Sequence, residues 1–261
     1  MGLGFLGLLF VQLISFGAFS APCPSGSNFQ ETYTFLDREE ADLPIPIKLK
    51  YAEEVSSGCE GSAKRFKKIF TLLNNSGVSI DQSLKKASDF SHLSDEQTRN
   101  FIETFQKIFL KKYFDFDFKT AYSISLELSQ NIKEGANVLR EDFLKLVNFC
   151  LDEKGMTLPL KTCADISLRT VKLNVNSKNS IFDDWKECYT FLRKDSRLGL
   201  DQQEALKTLE QILKGGTGSC SNFKKTFDFA TKEKGPRLDP AAALKIAQAV
   251  AQETKAPESH E

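Results

Sequence analysis

Few residues in this chain are equipped for chemistry, and their spacing narrows what they can do. His92 and His260 are the only histidines. His92 sits in Asp89-Phe-Ser-His-Leu93 and His260 in a polar tail, and neither stands beside a nucleophile in sequence. Carboxylate pairs such as Asp183/Asp184 and Glu39/Glu40 would suit a carboxylate-dependent hydrolase only if clustered in a cleft with raised pKa values. Helical surfaces produce such pairs by default, so the chain reads as non-catalytic. Lys214-Gly-Gly-Thr-Gly-Ser219 lacks the Gly-Lys-Ser/Thr ending of a phosphate loop, and no buried strand precedes it. It reads as a flexible connection, and no cofactor is expected.

The six cysteines, Cys23, Cys59, Cys150, Cys163, Cys188 and Cys220, include no Cys-x-x-Cys pair. That removes most support for a zinc or thioredoxin-type site, and no metal is expected. An even number suits three disulfides in an exported chain. Export has its own signal. Leu3 to Phe19 is apolar apart from Gln12 and ends in Ala18-Phe19-Ser20, the small-x-small pattern read by a signal peptidase. Residues 1–20 are therefore expected to be a signal peptide, although no Lys or Arg precedes the run. The run is marginal for a membrane span of ~20 residues, so no transmembrane segment is expected after processing. The expected location is extracytoplasmic, either periplasmic or secreted.

Composition sets the class. With 41% hydrophobic and 11% aromatic residues the chain is globular rather than disordered. Basic and acidic residues balance at 35 each, so a nucleic acid is not an expected partner.

The elements that must position these groups show as an internal repeat. An aromatic anchor recurs with a second apolar residue four places on: Phe29/Tyr33, Phe66/Phe70, Phe101/Phe105, Phe143/Val147, Trp185/Tyr189 and Phe223/Phe227. A further aromatic falls at plus six in four copies, as Phe35, Phe149, Phe191 and Phe229. The i, i+4 spacing places each pair on one helical face. A second element follows, reading Leu49-Lys-Tyr-Ala, Leu84-Lys-Lys-Ala, Phe118-Lys-Thr-Ala, Leu160-Lys-Thr-Cys, Leu206-Lys-Thr-Leu and Leu244-Lys-Ile-Ala. Its steps are 35, 34, 42, 46 and 38 residues, within the range of helical solenoids.

Between the two elements lie helix stop and start signals. Gly77, Gly155 and Gly235 suit a left-handed residue closing the first helix. Ile80-Asp81, Leu200-Asp201 and Leu238-Asp239 suit a hydrophobic staple with an aspartate N-cap. Asp201 with Glu204 completes a capping box, and Pro240 takes the first helical position. The expected fold is all-α. About six helix-turn-helix hairpins, near 24–58, 59–93, 94–137, 138–180, 181–217 and 218–252, form one repeat domain over residues 21–252. A disordered tail is expected at 253–261. In period and in its aromatic-then-alanine order the layout resembles tetratricopeptide-type solenoids, which implies an irregular α-solenoid architecture whose inner helices line a concave binding face. An irregular helical bundle is the alternative.

The repeat yields a disulfide map, because the start of the first helix in a hairpin lies beside the end of the second. Cys23–Cys59, Cys150–Cys163 and Cys188–Cys220 would then each staple one hairpin. It also yields a candidate surface. Lys50, Lys85, Lys119, Lys161, Lys207 and Lys245 occupy one register position, and stacked copies would align them about a helix diameter, ~10 Å, apart. That spacing is comparable to the screening length, so binding of an anionic group should weaken with salt. The plainer account is that lysine solvates one face of an amphipathic helix. Tyr113-Phe-Asp-Phe-Asp-Phe118 offers Phe114 and Phe116 as an exposed partner-gripping patch; alternatively one phenylalanine is local core and one aspartate an N-cap. Asn74-Asn75-Ser76 matches a glycosylation acceptor. The functional expectation is an exported, non-catalytic scaffold for a protein or peptide, an anionic one if the lysines engage it. The alternative is a helical module for a lipid or other apolar ligand.

Overall fold

A computed structural model gives the architecture and describes residues 26–40, 42–109, 114–130, 136–153, 155–174, 179–233 and 235–253. Twelve α-helices and no strand occur among the described residues: α1 (Gly26–Glu39), α2 (Ile45–Ser56), α3 (Ser62–Asn75), α4 (Ile80–Ser91), α5 (Asp95–Phe109), α6 (Phe118–Gln130), α7 (Ala136–Leu151), α8 (Leu160–Lys172), α9 (Phe182–Lys194), α10 (Gln202–Leu213), α11 (Ser219–Thr231) and α12 (Pro240–Gln252). The expected signal peptide, Cys23 and residues 254–261 of the tail lie outside the described residues. Among those described, no helix is long and apolar enough to cross a membrane.

Each odd-numbered helix packs most closely on the even-numbered helix that follows it. The chain separates into two compact units, one ending at Leu93 and the other starting at Ser94. The division falls after the copy whose plus-six position carries Leu72 instead of an aromatic. The first unit holds α1–α4, with α1 against α3 and α2 against α4. The second holds α5–α12, where α5, α7, α9 and α11 contact one another in succession and α10 packs on α12.

The core follows the anchors. Phe66, Phe70, Phe101, Phe105, Phe143, Trp185, Tyr189, Phe223 and Phe227 are all buried. Within a helix the pairs stack nearly parallel, as in Phe66/Phe70 (6.1 Å between centroids), Trp185/Tyr189 (5.3 Å) and Phe223/Phe227 (6.1 Å). The plus-six ring of one hairpin then meets the pair of the next edge-on. Phe35 stands at 86° to Phe70, Phe149 at 80° to Trp185, and Phe191 at 83° to Phe223. Edge-to-face contact sets the positive rim of one ring against the negative face of another, worth ~0.5–1.5 kcal/mol beyond area burial.

Several turn assignments change. Asp201 accepts from Glu204 N while Glu204 accepts from Asp201 N, closing the capping box, and Asp239 accepts from Ala241 N and Ala242 N. Asp81 is not an N-cap: Ser79 holds that position and Asp81 lies in the first turn of α4. Gly77 takes a left-handed φ of 80°, but Gly155 and Gly235 do not; Thr157 and Arg237, each at φ 53°, do so instead. A Cβ on Gly155 or Gly235 would lie 1.8 Å from the carbonyl oxygen of Phe149 or Phe229. These two glycines are required by close approach, not by handedness.

Candidate functional site

The register lysines fall where the repeat places them. Lys50, Lys85, Lys119, Lys161, Lys207 and Lys245 lie on α2, α4, α6, α8, α10 and α12, and all six are exposed. Lys50 approaches Glu54 at 3.9 Å one turn on. Among the described residues no ion pair involves the other five. Packing brings α2 beside α4 and α10 beside α12. Between α8 and α10 runs a cleft of about 360 Å³ lined by Thr162, Ile166, Arg169, Lys207 and Glu210, with Trp185 in its floor.

A second surface was missed at the level of sequence. Two clefts lie between consecutive odd-numbered helices, of about 340 Å³ at α1/α3 and about 700 Å³ at α9/α11. Their linings correspond position by position. Glu31, Thr34, Phe35, Arg38 and Glu39 in one match Glu187, Thr190, Phe191, Lys194 and Asp195 in the other, with Lys67 and Lys224 on the facing helices. Each facing lysine pairs with the glutamate (Lys67–Glu31 3.2 Å, Lys224–Glu187 2.5 Å) and lies about 6 Å over the phenylalanine ring. The recurrence of Thr at plus five and of a basic residue at plus nine was the signal available. Chemically these are mixed-charge grooves with an aromatic floor.

Phe114 and Phe116 are buried, with ring centroids 5.8 Å apart, so they do not form an exposed patch. Asp117 is the local cap: it accepts from Thr120 N at 2.9 Å and from Thr120 Oγ1 at 2.7 Å. Those bonds hold its carboxyl below the usual range. Tyr113 lies outside the described residues.

The cysteines divide three ways. Cys150 and Cys163 form a disulfide with Cα atoms 5.4 Å apart, joining the end of α7 to the start of α8. Cys59 is disulfide-bonded, while its expected partner Cys23 lies outside the described residues. Cys188 and Cys220 are free thiols, both buried, rather than the expected bridge. They are in hydrogen-bond contact, and that bond, followed by burial, pushes the Cys188 thiol far above its ordinary range. Cys220 lies in the first turn of α11, so the contact joins the fifth hairpin to the sixth instead of stapling one hairpin.

The carboxylate pair Asp183/Asp184 has a structural use. Asp184 accepts from Gly218 N (3.1 Å) and Cys220 N (3.4 Å) at the start of α11. The glycine-rich loop therefore directs amides at a carboxylate of its own chain. Burial raises the Asp184 pKa and the two amides oppose it. Asp142 does the same for α9 through Ile181 N (2.7 Å) and Ser180 Oγ (2.5 Å), and Asn28 Oδ1 for α3 through Ala63 N (3.3 Å). All three precede an aromatic anchor by one residue, so the first, fourth and fifth hairpins each cap the first helix of the hairpin that follows.

The fold thus defines an all-α protein of paired helices with repeated surface positions. Comparison with protein-family models, curated proteins and solved structures returned no match.

Proposed function

We propose that this chain is an exported helical-repeat scaffold whose six hairpins bind a protein or peptide partner carrying acidic residues. The observation that supports it is the single lysine register: six helices present the same charge at the same position, all exposed, and five without a described ion pair. Charges left unspent inside the chain are available to a partner. The Cys150–Cys163 disulfide fits an oxidising, extracytoplasmic compartment, and the apolar run before Ala21 fits export. An apolar-ligand module is less well supported, because the clefts described above carry Lys, Arg, Glu or Asp at their rims.

The test uses a fluorescent polyglutamate peptide titrated with the oxidised protein and with a variant carrying Lys85, Lys119, Lys161 and Lys207 changed to Gln. The expected result is binding that weakens with added salt and falls at least about tenfold in the variant. Equal binding by both proteins would remove the lysines from the site.

A further inference from the structure

We infer that the last hairpin presents a docking face for the first hairpin of a second copy of this chain, so that copies associate head to tail. The inference rests on the repeat reading above.

The stacking contacts inside the chain define two faces for every hairpin. The forward face carries the plus-six ring and two positions of the second helix, two and six residues after its Leu-Lys leucine. In the fourth hairpin those two positions are Thr162 and Ile166, which line the cleft against α10. The backward face carries the stacked aromatic pair, the Leu-Lys leucine and the residue four before it. In the fifth hairpin that leucine is Leu206, in the wall of the same cleft, and the residue four before it is Gln202, whose amide donates to Met156 O at 3.1 Å.

In the sixth hairpin the forward positions are Phe229, Ile246 and Val250, exposed by 63%, 45% and 39%. The counterparts of Val250 in three other hairpins, Val55, Ile166 and Ile212, are buried, and the rings of Phe35, Phe149 and Phe191, counterparts of Phe229, all rest on the next pair. Ile246 is moreover apolar where the other five copies carry Tyr51, Lys86, Thr120, Thr162 and Thr208. The backward positions of the first hairpin are open as well. Ile45 and Leu49 are exposed, and the stacked Phe29/Tyr33 pair is only half-buried where later pairs are buried.

Each exposed face is therefore the complement of the other, and the chain shows three times what covers such a face. A second copy supplies it. Phe229 would stand edge-on to Phe29 and Tyr33 of that copy, with Ile246 and Val250 beside Leu49 and Ile45. Gln30, in place of the Lys67, Lys186 and Lys224 of other copies, leaves no like charge against Lys225 across the joint. Such a contact is heterologous, using different patches on the two partners.

The experiment mixes two variants of the protein, each with one added surface cysteine, Phe229→Cys and Tyr33→Cys, under mild oxidation, with peptide mapping to assign each new bond to the added cysteines and sedimentation of the unmodified chain alongside. A Phe229→Cys/Tyr33→Cys bond between chains is expected, without Phe229→Cys homodimers. Self-association should increase with concentration and weaken at least about tenfold in Phe229→Lys. A single species without association up to about 100 μM overturns the proposal. So does a Phe229→Cys homodimer, or association that appears only when residues 254–261 are removed. A Phe35→Cys/Phe70→Cys double variant in one chain separates the two failures. If its internal bond forms without an intermolecular one, only the docking proposal falls; if it does not form, the repeat reading falls with it.

Discussion

Phe191 meets Phe227 edge to face, with ring centroids 5.9 Å apart and planes at 82°. Phe35 repeats the contact on Phe70 in the first unit, at 5.7 Å and 86°. In these two places one ring joins a hairpin to the next, and Lys224 or Lys67 lies over that ring.

The ring position should carry stability only where a following hairpin receives it. Phe191→Ala is expected to cost roughly 2 kcal/mol, below the ~3–5 kcal/mol of a fully enclosed phenylalanine. Phe229→Ala, at the same register but exposed, should change stability by less than about 0.5 kcal/mol in dilute solution. Urea unfolding of the two variants checks this, and equal losses would contradict the stacking role.

Asp195, Arg197 and Asp228 should make the protein acid-sensitive. Arg197 donates to Asp195 and to Asp228 (2.8 Å) and lies over the Phe227 ring at 4.8 Å. Its hydrogen bonds hold both carboxyls below their ordinary 3.8. A depressed folded-state pKa contributes stability above the unfolded value, and that stability is lost as pH falls through the folded one. The thermal midpoints of the protein and of Arg197→Ala should therefore differ at pH 6 and converge below about pH 4. A constant gap across that window would rule out the ion pairs as its source.

Asp184 should behave in the opposite sense. Its pKa is raised, chiefly by burial, so it opposes folding as pH rises through the folded value. Asp184→Asn keeps an acceptor for the amides of α11 and removes the charge, and should be neutral or slightly stabilising at pH 7. Asp184→Ala leaves those amides without their acceptor and should cost about 1 kcal/mol. Denaturant midpoints at pH 4 and pH 7 test both variants.

The cysteines make a chemical prediction. Cys150–Cys163 closes a short loop, 13 residues in separation, and its loss in Cys150→Ala/Cys163→Ala should cost ~3 kcal/mol. Cys188 and Cys220, fully buried, should resist iodoacetamide in the native protein and take up two equivalents after unreduced denaturation. No uptake in that second step, read by mass spectrometry, would mean the pair is bridged.

Much of this was legible from residues alone because it is local. The i, i+4 aromatic pairs, the Asp201/Glu204 box and Pro240 before an alanine run act within one or two turns, so their helices start and end near where they were expected. Errors came where close approach of backbone or tertiary packing, rather than residue type, decides a residue's role. Gly155 and Gly235 looked like left-handed stops, but their role is set by a carbonyl six residues back that curls over them. Phe114 and Phe116 alternate with aspartates, a pattern equally consistent with exposure, and only packing buries them.

By itself the sequence determined an all-helical chain, the register of its repeated aromatics and lysines, and the Asp201 and Asp239 caps. Tertiary structure decided which hairpin each group serves. The rings of Phe35, Phe149 and Phe191, the caps from Asn28, Asp142 and Asp184, and the Cys188/Cys220 contact all reach into the next copy, 30 or more residues away. Periodicity states which face of a helix is apolar. It does not state which neighbour covers that face, because this depends on how two helices approach, and that is a property of the packed chain.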